Sequence, residues 1–233
     1  MPRRFTGPTW EREAYKPMTD GMTEQDIALR ASPQSNLPQS THTSTLIQPI
    51  DFSERVRLCR IDCLAADGRF TREQIAGIST DEFECRSLHG VVTVDSVDLG
   101  VIRVTSVKEV ATLPFQHFYP SFTEALMPGD AEISKFVILP EHRRGKTIGR
   151  LVEAGFRFAV MEGAQRLFID VVDGNLGVNP KSYQKHYGFQ FTDHVGFDDN
   201  YGCKTHLMVL EGAINISNVA SELTARQARY SRH

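Results

Sequence analysis

The densest chemistry in the chain lies in one run, Phe136, Val137, Ile138, Leu139, Pro140, Glu141, His142, Arg143, Arg144, Gly145, Lys146, Thr147, Ile148, Gly149 and Arg150. An apolar stretch ends at Pro140, a short basic loop follows, and apolar residues at helical spacing begin at Ile148. Backbone N–H groups at a helix start have no intrahelical partner and face whatever sits there. The helix dipole adds partial positive charge, so an anion is stabilised at that place. Gly145 and Gly149 allow the backbone to approach a phosphate, and Arg143, Arg144, Lys146 and Arg150 supply charge-assisted donors. A merely basic surface loop would oppose the dipole. A bound anion removes that conflict. Gly145-Lys146-Thr147 invites comparison with a P-loop, but that motif requires glycine where Pro140 stands, so the loop cannot wrap a nucleoside triphosphate in that way.

The elements around this run read as a mixed α/β protein. Val56, Leu58, Cys59, Ile61 and Leu64 predict a helix from Asp51 or Ser53 to Asp67, stopped by Gly68. Residues 84–88 give a weak strand signal, and residues 89–94 and 99–107 predict strands joined by a turn at 95–98. Residues 132–139 predict a strand, and residues 147–161 a helix whose Ile148, Leu151, Val152, Gly155 and Ala159 share one face. Leu167 to Val172 predicts a strand covered on both faces. A short helix over 179–186 and strands over 189–193 and 204–210 follow. The order predicts a mixed central sheet with a parallel β-α-β crossover in the middle. Between Pro114 and Gly129, Phe115, Phe118, Tyr119 and Phe122 are too aromatic for a plain solvated loop. A lipid-chain tunnel and core packing explain them about equally.

Residues 1–47, rich in Pro, Ser, Thr and Gln, predict a disordered or partner-wrapping arm, with one short helix over 23–31. The globular domain is expected over 48–212, and a basic tail, helical or frayed, over 213–233. The formal net charge of -3 gives no electrostatic case for nucleic acid. Cys59, Cys63, Cys85 and Cys203 form no Cys-x-x-Cys pair and read as reduced thiols, and the eight histidines are scattered rather than spaced as metal ligands. No apolar run approaches ~20 residues, and no apolar stretch follows Arg3 and Arg4. These features predict a cytoplasmic protein without a membrane span.

The chain resembles the GNAT acyltransferase superfamily. Arg144, Thr147 and Gly149, preceded by Val137 to Arg143, match the family's Arg/Gln-x-x-Gly-x-Gly/Ala donor motif, with Thr147 where glycine is usual. Asn179 to Phe189 is similar to its Asn…Tyr-x-x-x-Gly-Phe segment, with Gln184 at the place of the general-acid tyrosine and Tyr183 and Tyr187 beside it. Three further segments are similar to long-chain N-acyl amino acid synthases and acyl-homoserine-lactone synthases. These are Val56 to Cys63 with Asp67 to Phe70, Gly100 to Val104, and Glu132 to Phe136.

The resemblance implies a GNAT fold and no tightly bound cofactor. It implies an acyl thioester co-substrate, acyl-ACP with its phosphopantetheine or acyl-CoA, held by Val137 to Leu139 and Arg143 to Arg150. It implies attack of an amine on the thioester, with a main-chain N–H near Ile138 or Leu139 stabilising the carbonyl oxygen. Glu132 is the leading base or amine anchor, with an ion pair to Lys135 or Arg103 as the structural alternative. Arg103 is a candidate partner for a substrate carboxylate and equally a candidate structural residue, and Tyr183 is the candidate for the leaving-group role. Asp170 and Asp173, near the carboxyl end of a strand, are candidate amine ligands, and Phe118 a substrate contact. The narrower branch implies a long fatty acyl chain, an acyl-carrier-protein partner, and an amino acid or peptide amine as acceptor, including a lysine or ornithine side chain of a lipopeptide. An acetyl-CoA-dependent acetyltransferase and an inactive acyl-CoA-binding module are the alternatives.

Overall fold

Alternating β-branched residues form β1 (Ser87–Val94) and β2 (Val97–Ser106), joined at Asp95 and Ser96 with φ of 50° and 65°. Paired positive φ values suit a two-residue hairpin whose twist matches its strands. A computed structural model supplies this description for residues 46–108, 112–143, 146–172, 180–199 and 202–230. The expected arm with its helix over 23–31 lies outside the described residues, apart from its last two positions. Before the hairpin come α1 (Glu54–Asp67) and α2 (Arg72–Ser79). Gly68 closes α1 at φ 71° and donates to Ala65 O at 3.1 Å, a left-handed helix end that glycine adopts without steric cost.

After the hairpin the chain runs through β3 (Asp130–Ile138), α3 (Lys146–Met161), β4 (Arg166–Val172), α4 (Pro180–Tyr187), β5 (Gln190–Asp198), β6 (Cys203–Glu211) and α5 (Ala213–Tyr230). The six strands form one sheet in the order β1-β2-β3-β4-β6-β5. Among the described strands only β3 and β4 are parallel, and α3 is their crossover. The expected mixed sheet with a parallel β-α-β core is therefore present. The weak strand signal at 84–88 resolves into a 3-10 turn, Glu84–Arg86, followed by the start of β1.

One sheet face carries α3 and α5. Leu151, Ala154, Phe158 and Ala159 from α3 meet Ile216, Ala220 and Leu223 from α5 and the inward residues of β2, β3, β4 and β6. The stretch expected as a basic tail is thus a helix that closes the main core. The other face carries two smaller clusters. Val56, Cys59 and Cys63 of α1 pack on Val101, and the 113–126 segment packs Leu113, Phe115, Tyr119 and Phe122 on Phe168 and Leu207. Among the described residues no helix is long and apolar enough to cross a membrane.

The fit between α3 and the sheet is close. A Cβ on Gly155 would stand 2.7 Å from Ile102 Cδ1 and 3.2 Å from Ile133 Cδ1. Gly155→Ala is therefore expected to destabilise the fold by about 1–3 kcal/mol through overpacking. Denaturant unfolding with an unchanged slope checks this.

Candidate active site

The central strands run together and then separate. β3 and β4 pair from Asp130↔Arg166 to Ile133↔Ile169, whereas β3 continues to Ile138 and β4 to Val172. β4 keeps its bonds to β6 as far as Val172↔Thr205. β3 leaves because it carries a bulge. Its register with β2 shifts between Val101 and Arg103, and Lys135 adopts φ 48°. A bulge bends its strand and increases local twist. Lys135 is fixed by its side chain, which donates to Ile78 O at 2.6 Å and pairs with Asp81 at 3.2 Å.

The bulge also settles which main-chain groups face the opening. Leu139 N–H donates to Leu99 O at 2.9 Å, so it is spent on β2 and cannot be the expected oxyanion donor. Antiparallel ladders alternate bonded and non-bonded pairs. Gly100↔Ile138 is next to that bonded pair, so the N–H and C=O of Ile138 turn the other way, towards the side that β4 has left. Of the two expected donors, Ile138 has the suitable direction. Arg143 Nε lies 3.4 Å from Ile138 O.

The loop residues are more engaged than the sequence suggested. Arg143 is held by Asp67 at the end of α1. Arg69, and then Arg143, hold the Asp67 carboxyl below its usual range. Lys146 Nζ donates to the Tyr230 carbonyl at 2.9 Å. Gly149 lies against α5. A Cβ there would stand 2.5 Å from Gln227 Nε2, so its smallness serves contact between α3 and α5. Thr147 and Arg150 are half-buried on the first turn of α3, and Ile148 and Leu139 pack on the main core. Val137 points to the opposite face and packs against the α1 cluster. No acidic residue occupies the first turn of α3, so its dipole is not offset there by the helix's own carboxylates. Arg144, Gly145 and Asp173 lie outside the described residues.

On the face of the sheet opposite α3, Arg103 is 1 % exposed and bonds Asp81 at 2.6 Å, Ser134 Oγ at 3.0 Å and Glu84 at 3.1 Å. Its guanidinium is held by these groups within the fold, as the structural alternative to pairing with a substrate carboxylate expects. Arg60 joins the same network through Glu84 at 2.5 Å, and His89 Nδ1 lies 3.1 Å from Arg60. Burial and the Arg60 charge push His89 down to about 4. This network ties α1 and residues 79–84 to the sheet.

Glu132 is 2 % exposed and accepts the Phe115 N–H at 2.8 Å. Neither expected ion pair is its hydrogen-bond partner, although Arg103 acts on it through space. Burial pushes its carboxyl up to about 8, against the pull of Arg103, with Asp170 and Asp81 adding to the rise. Asp170 is the first β4 residue beyond the last β3–β4 pair. Tyr119 donates to it at 2.5 Å and also reaches Thr205 Oγ1 at 2.8 Å. Burial raises Asp170 to about 6 despite the Tyr119 bond. The carboxylates at 132 and 170 therefore share one face beside the opening. Tyr183 lies apart, packed edge-on to Phe189 against the main core, and burial pushes its hydroxyl up to about 12.

The aromatic segment resolves into core and groove. Phe115 stacks edge-on with Phe122 at 4.9 Å and packs on Phe168 at 5.0 Å. Phe118 is partly exposed and lines a groove of about 710 Å³ between residues 117–121 and 195–199. Tyr119 lines the same groove. Sequence reasoning placed Tyr119 only in the aromatic stretch and did not join it or Thr205 to Asp170, because nothing local links them. It also missed α2, for which a signal existed. Thr71 and Gln74 form a reciprocal capping box, with Thr71 N–H bonded to Gln74 at 2.9 Å and Gln74 N–H to Thr71 at 3.2 Å.

Neither a family model nor a curated protein matches the chain. Solved structures with a similar course of chain include the aminoglycoside 6'-N-acetyltransferase from Enterococcus faecium, at 12 % identity and a TM-score of 0.49, covering 72 % of this chain and 97 % of that one. A GNAT-family acetyltransferase from Desulfovibrio desulfuricans matches at 16 % identity and a TM-score of 0.48, covering 71 % and 97 %. MesI, a CoA-dependent acyl-homoserine lactone synthase, matches at 13 % identity and a TM-score of 0.44, covering 63 % and 71 %.

The raised Glu132 carboxyl has a thermodynamic consequence. Between its ordinary value of 4.5 and about 8 the folded chain holds a proton there that the unfolded chain has lost. Stability from this group is full below about 4.5 and declines as pH rises through that window. Glu132→Gln removes the titration. The variant is expected to gain on the parent steadily from pH 4.5 to 8. Parallel urea titrations across that range check this. A constant difference counts against a buried, protonated Glu132.

Proposed function

We propose that the protein is a GNAT-type N-acyltransferase whose thioester donor, acyl-CoA or acyl carrier protein, enters the opening between β3 and β4. The observation that carries this reading is the early end of the β3–β4 ladder at Ile133↔Ile169, with the Ile138 main chain turned into the space so made. A pantetheine arm carries amides that can bond such strand edges, and the basic residues before α3 suit its phosphate end. In the reaction the acceptor ammonium first loses a proton. Its nitrogen then forms the N–C bond, the C–S bond breaks, the nitrogen releases a second proton, and the thiolate takes one up. Ile138 N–H faces where negative charge gathers on the carbonyl oxygen. Asp170, with its carboxyl raised to about 6, can hold the proton taken from the amine, whereas Glu132, raised to about 8, already carries its own below that pH. The acceptor class is an amine of an amino acid or peptide, lysine and ornithine side chains included.

A second reading concerns the acyl chain. The long-chain expectation placed a lipid tunnel at Phe115 to Phe122, but Phe115, Tyr119 and Phe122 are 0 %, 1 % and 7 % exposed and fill their own space. That packing favours a short donor such as acetyl-CoA. Incubation with acetyl-CoA, decanoyl-CoA and decanoyl-acyl carrier protein, each with an amine panel, tests both readings through release of free thiol. Amine-dependent release is expected, faster with acetyl-CoA. Release only from decanoyl donors restores the long-chain reading. Binding without release from any donor supports the inactive module instead. Arg144→Ala and Thr147→Glu are each expected to weaken CoA binding at least about tenfold, or ~1.4 kcal/mol, by calorimetry. Unchanged affinity in both counts against the loop before α3 as the phosphate site.

A further inference from the structure

We infer that Tyr119 and Thr205 are positioning residues for Asp170, their paired hydroxyls fixing its carboxylate beside the β3–β4 opening. The inference rests on the acyltransferase reading for the use made of that carboxylate, but the hydroxyl pair itself can be tested without any reaction. Three elements bring the groups together. Asp170 is the first β4 residue beyond the last β3–β4 pair. Thr205 of β6 lies opposite Val172, so it is the diagonal neighbour of Asp170 on the same sheet face. Tyr119 follows the Pro114–His117 turn, and its hydroxyl reaches Asp170 at 2.5 Å and Thr205 Oγ1 at 2.8 Å. Tyr119 and Thr205 are 1 % and 0 % exposed, so bulk water does not compete for these bonds. The Tyr119 ring is seated from two sides. Its N–H bonds Phe115 O at 3.1 Å, and Glu132 accepts the Phe115 N–H at 2.8 Å, so β3 holds the turn that carries it. On β5, Gly196 leaves room for the ring, since a Cβ there would stand 3.0 Å from both Tyr119 Cε1 and Thr205 Oγ1.

A phenol has one hydrogen to give. With that hydrogen on Asp170, the Tyr119 oxygen accepts from Thr205, and the two hydroxyls form a chain directed at the carboxylate. Such a chain strengthens each bond and favours the ionised acceptor. Burial and the Asp170 charge push the Tyr119 hydroxyl up, so it remains a donor across the working range. Once Asp170 has taken a proton it becomes a donor itself, and the chain can reverse, Asp170 to Tyr119 and Tyr119 to Thr205. The carboxyl is thus matched in both states. Burial raises Asp170 most, to about 6, while the bonds from Tyr119 and Thr205 lower it. Asp198 of β5 raises it and His206 of β6 lowers it. Glu132 of β3 carries its own proton below about 8 and adds no charge there. Removing either hydroxyl leaves burial less opposed, so Asp170 keeps its proton to higher pH.

The test follows the Asp170 carboxyl by carbon NMR in the full chain labelled at aspartate, from pH 4 to pH 8, with Asp170→Asn to assign its signal. Tyr119→Phe and Thr205→Val are near-isosteric and remove one hydroxyl each. Each is expected to raise the proton affinity of Asp170 at least about threefold. Thr205→Ser keeps the hydroxyl and is expected to leave the midpoint at the parent value. Thiol release from acetyl-CoA with an amine present is then measured over the same range. Its rising limb is expected to move with the NMR midpoint, with kcat lowered and KM for acetyl-CoA unchanged. The amine's own titration is common to all variants and does not contribute to that displacement. A purely structural role for the hydroxyls lowers stability in urea while the Asp170 midpoint stays in place, and that result overturns the inference. A midpoint that moves while the limb stays overturns the catalytic use of the pair and leaves the acyltransferase reading intact. A parent chain that releases no thiol removes the acyltransferase reading instead, and the moved midpoint then still assigns both hydroxyls to Asp170.

Discussion

Beyond Ile133 and Ile169 the two central strands no longer pair, and the Ile138 main chain faces the space between them. Buried peptide groups without partners are costly, so such a gap is stable only where solvent or a ligand can satisfy them. The bulge at Lys135 imposes this arrangement by rotating the end of β3 away from β4. Lys135 holds an unfavourable backbone conformation and is anchored by Ile78 O and Asp81. The network that anchors it includes Arg103, Glu84 and Arg60, which also seats α1 on the sheet. Strand geometry at the site and the packing of the N-terminal helices are thus one mechanical unit.

That unit explains why several charged side chains serve the scaffold. Arg103 and Arg60 are deeply buried, and each is matched by carboxylates from the turn around residues 81–84. Removing one partner from such a group leaves an uncompensated buried charge, which costs far more than a surface pair. The network occupies the Arg103 guanidinium, and the carboxylates at 132 and 170 stand outside its ion pairs. Their raised proton affinity follows from burial in both cases, with Arg103 opposing it at Glu132 and Tyr119 opposing it at Asp170.

The helical face of the sheet is dominated by shape. Gly155 lets α3 lie against Ile102 and Ile133, and Gly149 lets α5 approach through Gln227. α5 therefore buttresses the helix whose first turn faces the proposed donor. Lys146, bonded to the Tyr230 carbonyl, ties the two helix ends together. Glycines that look like phosphate-loop residues along the chain can owe their place to helix packing, because both uses demand the same missing side chain.

Local pattern alone determined much of this protein. The period of Ile148, Leu151, Val152 and Ala159 specified α3, the β-branched runs specified β2 and β4, and their order implied the parallel crossover, since these signals depend only on neighbouring residues. The capping box at Thr71 was equally legible and marked α2. Tertiary structure decided which candidates meet. Tyr119, Asp170 and Thr205 are far apart in sequence and joined by hydrogen bonds, while Leu139 and Gly149, both inside the motif, are spent on β2 and on α5. The direction of a main-chain N–H depends on strand register, and the availability of a guanidinium depends on what packs around it. Both are long-range properties, set when the sheet forms and the helices close upon it.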